Sequence, residues 1–459
     1  MSHNLLFQKL LGKFFSEKVI TRIAPSPTGM FHIGTARSAL FNFLFARHHG
    51  GEFIVRIEDT DKERSKKEYE KDILDGLNWL ELSFDALFRQ SERTDVYAEY
   101  IARLVKNGRA YVSKEKSEKE GREVEVVRLK NSGTDISFRD IIRGDISFNT
   151  KELGDFVIAR SIKEPLYHLA VVIDDHEMNV THVIRGDDHI SNTPRQILIQ
   201  RALGMEEPHY AHIPLILAPN RSKLSKRKGS TSITEYREGG CLPEAMLNYL
   251  AFLGWNPGTD KEMYTMKELI KDFSLEQVQK SGAVFDSRKL DWFNREHLKK
   301  LPKAEVFRRV AASLSRETRR LPQYSDARLK KAVDTIIERV STFKELGELS
   351  EKGEFDYFFA PPHMETDIQW KKDSIETAAL VVSAVIGLLE NVQEQTFTKE
   401  TVKNAIWRYA EEKGRGTVLW PMRVALSGKE KSPDPFTLAE IFGKNETLAR
   451  LKEAQQQLL

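Results

Sequence analysis

One cysteine, Cys241, is all the thiol that 459 residues carry. That excludes a disulfide framework and any multi-cysteine zinc site, so no zinc is expected, and it fits a reducing cytoplasm. Long apolar runs are missing too. No stretch of about 18 apolar residues occurs, so neither a transmembrane helix nor a membrane partner is expected. Excess charge is scarce: 71 basic and 68 acidic residues leave a net charge of +3, and any nucleic-acid binding must come from local basic patches. Internal repeats and low-complexity segments are absent. In residues 1–18, Gln8, Lys9, Gly12 and Lys13 interrupt the continuous apolar core that a signal peptide needs, and the stretch reads as a short extension.

What is present is organised around Pro25-Ser26-Pro27-Thr28-Gly29-Met30-Phe31-His32-Ile33-Gly34-Thr35. Before it, Val19–Ala24 is rich in β-branched residues and ends where prolines forbid a continuing strand. After it, Ala36, Leu40, Phe41, Leu44 and Phe45 recur at helical spacing, with Gly50-Gly51 as the stop. Phe53–Ile57 reads as a second buried strand. Strand, loop, helix and strand make a βαβ unit whose loop and helix N-terminus form a phosphate site. The loop is neither G-x-G-x-x-G nor a Walker A sequence, which disfavours nicotinamide cofactors and P-loop chemistry.

Glu58-Asp59-Thr60-Asp61 precedes a charged helix through Leu80, and a further helix closes at Gly108. Lys114–Glu125 reads as an exposed turn or hairpin. Val126–Leu129, Ile146–Phe148 and Phe156–Ala159 read as short strands of an inserted β-rich module. Val180–Ile184 and His212–Leu217 resume the α/β pattern, so a Rossmann-like sheet interrupted by an insertion is expected. From Leu242 onward helical patterns dominate and predict an all-helical region, with long segments at Ala327–Leu346 and Ile375–Leu389 and an interruption at Trp420-Pro421. The expected domains are an extension over 1–18 and a Rossmann-like domain over 19–95 and 180–235. An inserted module over 96–179, a helical connector over 236–310 and a helical domain over 311–459 complete the set.

Arg221, Lys223, Lys226, Arg227 and Lys228 crowd the loop after the His212–Leu217 strand, at the edge where α/β sheets bind ligands. Asp174-Asp175-His176 and Asp187-Asp188-His189 invite a metal reading. Neighbours on a strand point to opposite faces, however, so hydrogen-bonded structural roles are expected and no metal ligands are assigned. As a lone thiol, Cys241 is expected to be only packed.

These motifs resemble a known family. Pro25–Thr35 resembles the HIGH signature of class I aminoacyl-tRNA synthetases, with Thr35 in its fourth position. Lys223-Leu224-Ser225-Lys226-Arg227 resembles their KMSKS loop, with Leu for Met and Arg for the last Ser. Arg22–Gly29, Arg56–Asp61 and Arg185–His189 resemble glutamyl-tRNA synthetase specifically. The resemblance implies ATP contacts at Pro25, Thr28, Gly29, His32, Gly34, Lys223, Ser225 and Lys226, with His32 and Lys226 catalytic. It implies a glutamate pocket from Arg22, Ala24, Ser26, Glu58, Tyr167 and Arg185. Planar guanidinium forks suit carboxylates, and Glu58 suits the ammonium. Which arginine takes the side-chain carboxylate stays open.

The implied activity is ATP-dependent ligation of L-glutamate to tRNA(Glu) through a glutamyl-adenylate, with Mg²⁺ accompanying ATP, by a cytoplasmic monomer. Some members exclude tRNA(Gln) with an arginine in the helical domain; Ala384–Leu388 holds none, which leaves charging of tRNA(Gln) open. The rival readings are glutaminyl-tRNA synthetase, whose C-terminal region is β-barrel, and a catalytically silent tRNA-binding paralogue.

Overall fold

The structure is a computed structural model and describes residues 18–116, 123–222, 224 and 232–458. Strand β1 (Ile20–Ile23) ends two residues before Pro25, as its β-branched pattern predicts. Helix α1 (Ile33–His48) follows the loop and is buried on nearly all sides, from Ile33 and Ala36 through Leu40, Phe41, Leu44 and Phe45. Gly50 has φ 65°, and a Cβ on Gly51 would sit 2.0 Å from the Val19 carbonyl oxygen. Only glycine lets the chain turn there and return beside β1 as β2 (Glu52–Ile57), paired in parallel from Ile20↔Glu52 to Ile23↔Val55.

The rest of the first unit builds on this βαβ start. Helix α2 (Lys67–Trp79) buries Ile73, Gly76 and Leu77, and β3 (Ala86–Arg89) joins β2 in parallel. This strand was not foreseen: it is short and only half-buried, so it carries little hydrophobic signal. Helix α3 (Thr94–Lys106) precedes β4 (Ala110–Lys116), β5 (Glu123–Leu129), β6 (Asp135–Asp140), β7 (Gly144–Asn149), β8 (Phe156–Ser161) and β9 (Glu164–Pro165). Helix α4 (Tyr167–Glu177), β10 (His182–Gly186), α5 (Thr193–Leu203) and β11 (His209–Ile213) complete the core.

The main sheet has seven strands in the order β3-β2-β1-β10-β11-β6-β7, parallel except for the β6–β7 hairpin. Successive strands run outward from β1 on one side and from β10 on the other, so the switch point lies between β1 and β10. Strands β4, β5, β8 and β9 make a separate antiparallel sheet. The segment 96–179 is thus divided: its β6–β7 hairpin extends the main sheet, and Tyr97, Ile101, Leu104 and Leu169 share one core with Val183 and Ile197. Apolar residues of this segment bury against the main sheet as well as against one another. Asp174–His176 lies on α4 and Asp187–His189 on a 3₁₀ turn; neither triplet lies on a strand.

The chain divides into two compact units between Phe293 and Asn294, within the stretch 236–310 read as a connector. Among the described residues, the second unit is helical and holds no strand. Ser325, Thr342, Ser374, Thr398 and Asp434 cap its helices by accepting backbone N–H bonds. Thr342 explains why the stretch Ala327–Leu346 is two helices, Asp326–Ile337 and Phe343–Glu351: its cap starts the second. Pro421 lies inside the helix Arg415–Ser427 and does not break it. It is buried beside Val418 and Met422, packing that offsets a cost of about 3 kcal/mol for an internal proline.

The Gly51 turn gives a direct test. Gly51→Ala must push the backbone of Val19 aside, and thermal denaturation should report a loss of about 1–3 kcal/mol.

Candidate active site

His32 is the N-cap of α1. Its Nδ1 accepts from the amides of Gly34 (3.1 Å) and Thr35 (3.3 Å). A neutral imidazole that accepts at Nδ1 carries its proton on Nε2, and that nitrogen lies 3.0 Å from Thr35 Oγ1. The threonine in the fourth motif position therefore buttresses the ring. A Cβ on Gly34 would come within 3.0–3.1 Å of the same ring, so glycine is what lets the imidazole fold over the helix start.

The second loop begins after β12 (Ile216–Leu217), where Leu224 N donates to Ile216 O. Lys223, Ser225 and Lys226 lie outside the described residues. The chain resumes at Ser232, which bridges His32, and Ile233 N donates to Phe31 O at 2.9 Å. One carboxylate joins the two loops: Asp72 Oδ2 accepts from Phe31 N and Oδ1 from Thr234 Oγ1, both at 2.6 Å.

Between the His32 loop and the strand ends lies a cavity of about 520 Å³ at the switch point. Arg22, Ala24, Pro25, Ser26, Thr28, Gly29, His32, Gly34, Glu58, Tyr167 and Arg185 all line it. Every described residue that the sequence nominated is thus brought to one cavity, although they span β1, the first loop, the end of β2, the start of α4 and the end of β10.

Its floor is a buried ion network that the sequence reading missed. Asp175 Oδ1 accepts from Arg22 Nε (3.1 Å) and Arg56 Nη1 (2.6 Å), while Oδ2 takes Arg22 Nη2 at 3.4 Å. Arg56 Nη2 reaches Glu58 at 3.2 Å. Asp174, fully buried, accepts from Gln90, Arg93 and the Tyr97 hydroxyl. Burial works against the charge of Asp175, but the Arg22 and Arg56 guanidiniums outweigh it and hold the carboxyl below its ordinary value. Burial pushes the Glu58 carboxyl upward, with Arg56 and Arg22 opposing. An arginine in the middle of the apolar run Phe53–Ile57 was the available signal, because a charge in a buried strand requires a buried partner.

The opposite wall is less charged. Arg185 Nε donates to His212 Nε2 (3.1 Å) and Nη2 to Thr193 Oγ1 (2.9 Å), while Nη1 is buried with no hydrogen-bond partner among the described residues. Burial pulls this guanidinium below its usual value. The Tyr167 hydroxyl lies 3.2 Å from His189 Nδ1, and burial pushes it up to about 12. Cys241 is likewise raised to about 12 by burial, as suits a packed thiol. Among the described residues no group of three His, Cys, Asp or Glu side chains could hold a metal ion.

Removing the Asp175 charge should strip Arg22 of its buried counter-charge and leave Arg56 with Glu58 and Asp174. Asp175→Asn is expected to cost about 3–5 kcal/mol in denaturant unfolding at neutral pH. The folded carboxyl titrates below 3.8, so its contribution is present above that value and is lost as pH falls through the lower folded pKa. Wild-type stability should therefore fall more steeply than that of Asp175→Asn over this acidic range.

The chain matches the family "tRNA synthetases class I (E and Q), catalytic domain" over residues 18–126 and 114–292, and an "Anticodon binding domain" family over 305–455. It is 40% identical to a glutamate–tRNA ligase of Thermodesulfovibrio yellowstonii over 466 residues, covering 95% of this chain and 98% of the relative. A glutamate–tRNA ligase of Syntrophobacter fumaroxidans is 40% identical over 469 residues, with 95% and 98% covered. A crystal structure of a glutamate tRNA ligase from Elizabethkingia meningosepticum, in complex with its amino acid, superposes with a TM-score of 0.78 at 32% identity, covering 96% of this chain and all of that one. A helical second unit, a Rossmann-like sheet with its cavity at the switch point, and full-length relatives agree: the chain belongs to the glutamate–tRNA ligase family of class I tRNA synthetases.

Proposed function

We propose that this chain ligates L-glutamate to tRNA(Glu) at the switch-point cavity, using ATP. The observation that carries the reading is the meeting there of two buried arginines, Arg22 and Arg185, with Glu58 beside the His32 loop. Glutamate has two carboxylates and one ammonium. Arg22 and Arg185 take the carboxylates, Glu58 takes the ammonium, and Ala24, Ser26 and Tyr167 close the pocket. A pocket for glutamine would need an amide partner in place of one guanidinium, and the second unit has no strand among its described residues, which argues against the β-barrel rival. The relatives' names specify glutamate, and the proposal does not extend to tRNA(Gln).

Pro25, Thr28, Gly29, His32 and Gly34 hold ATP with Lys223, Ser225 and Lys226 of the second loop. The glutamate α-carboxylate attacks the α-phosphorus in line; the new C–O–P bond forms as the bond to pyrophosphate breaks. No enzyme nucleophile is needed, and catalysis is positioning plus charge stabilisation. His32 Nε2–H, shared with Thr35 Oγ1, and the Lys226 ammonium donate to the charge developing on the phosphates. A terminal ribose hydroxyl of tRNA then displaces AMP from the acyl carbon. Mg²⁺ would accompany ATP as part of the MgATP substrate and neutralise charge on its phosphates.

Charging assays with glutamate and glutamine on purified tRNA(Glu) test the reading. Glutamate transfer is expected, and exclusive transfer of glutamine would overturn it. Lys226→Ala should slow charging about a hundred- to a thousand-fold with an unchanged melting temperature, and near-normal charging would remove Lys226 from the catalytic set.

A further inference from the structure

Arg185 is hydrogen-bonded on two sides and unpartnered on the third among the described residues. Because a guanidinium can only donate, its bond from Nε requires a bare lone pair on His212 Nε2. The ring proton must then sit on Nδ1, where Asp140 Oδ2 receives it at 2.6 Å. Asp140 and His212 are essentially buried, at 1% and 0% exposure. The carboxylate is itself pinned by backbone: Oδ1 accepts from the amides of Ile142 (3.0 Å) and Arg143 (2.8 Å), and Oδ2 from the amide of His212 (3.0 Å). These residues come from β6, β11 and β10, far apart in sequence and joined only by sheet pairing.

We propose that the Asp140–His212 pair is a positioning device for glutamate recognition. It holds His212 in the Nδ1–H tautomer, so that the ring accepts from Arg185 Nε and leaves the unpartnered Nη1 of Arg185 for a substrate carboxylate. This rests on the glutamate reading of the cavity.

The chemistry explains why a neutral ring stands here. A carboxylate against Arg185 would orient the guanidinium but would neutralise it and compete with the substrate. Imidazole orients it and leaves its charge unspent, while the Asp140 charge is kept one ring away. Arg22, by contrast, is already paired with Asp175. The groups facing His212 agree with a neutral ring. Arg185 on β10 and Arg143 in the β6–β7 turn oppose an imidazolium, Asp140 on β6 favours it, and burial opposes it most, holding the ring below its usual value. Arg143 donates to the His212 carbonyl (3.2 Å) and pairs with Asp187 (2.7 Å). Tyr210 of the same strand stacks with the ring at 6.1 Å, and Thr193 Oγ1 lies 3.3 Å from Nε2. His189 at the entry to α5 is pulled down to about 4 by burial and by Arg185, so it adds no positive charge.

The test is steady-state charging by the full chain, reading KM for glutamate at saturating ATP and tRNA(Glu). His212→Leu removes the acceptor and should raise the glutamate KM about 10- to 100-fold, with the KM for ATP and tRNA within about twofold. His212→Gln restores an acceptor oxygen for Arg185 and should bring the glutamate KM back to within about threefold of wild type. Asp140→Asn cannot serve the two loop amides and the ring N–H with its single oxygen, so it should raise the glutamate KM about 5- to 20-fold. Adding His212→Leu to Arg185→Gln should cost nothing further.

Equal impairment of His212→Leu and His212→Gln, or a loss falling equally on every substrate, would overturn the proposal. If His212→Leu does not fold by thermal melting, Asp140→Asn decides, and an unchanged glutamate KM there overturns it. An Arg185→Gln enzyme with a normal glutamate KM would instead sink the glutamate reading of the cavity itself.

Discussion

The catalytic unit depends on a carboxylate shared between two guanidiniums away from water. Asp175 on α4 meets Arg22 on β1 and Arg56 on β2, and none of the three can turn to solvent. Removing one partner would leave a buried charge unpaired, which is far costlier than losing a surface ion pair. The network therefore ties α4 to the two strands at the sheet's switch point, and the cavity follows from that arrangement. Asp174 does the same from the adjacent position of the helix, reaching Arg93 at the N-cap of α3 and Tyr97 within it.

This pairing also sets the polarity of the cavity. Arg22 and Arg56 share Asp175, Glu58 and Asp174. Arg185 is hydrogen-bonded to a neutral imidazole and a hydroxyl and lies over the Tyr210 ring. A cationic group buried without a counter-charge is costly, and an anionic ligand would offset that cost. At the other end the nucleotide loop is preorganised by equally local means. His32 caps its own helix, Thr35 steadies the ring, and Asp72 ties Phe31 to Thr234 across from α2.

The cavity lining was legible because it lies in short contiguous motifs at strand ends. Residues 22–34 are adjacent in the chain, and Glu58, Tyr167 and Arg185 each follow or open a recognisable element. What escaped were the residues that act from behind. Asp175 looked like part of an Asp-Asp-His triplet on a strand; its true position on a helix turns it toward Arg22 and Arg56. Asp140 sat on a short, alternating strand without any motif, and its partner His212 lies on another strand, paired with β6 through the single bridge Tyr210↔Asp140.

Local chemistry was enough for the loops and the helix boundaries. Gly34 under the His32 ring and the caps at Ser325 and Thr342 act within a few residues of themselves, so the sequence alone determined them. Sheet order, the division of the segment 96–179 between two sheets, and the burial of Arg56, Asp175 and His212 were decided only in the tertiary structure. The physical reason is range. A turn or cap is satisfied by its neighbours, whereas a buried charge is stable only beside a partner that strand pairing brings from far along the chain.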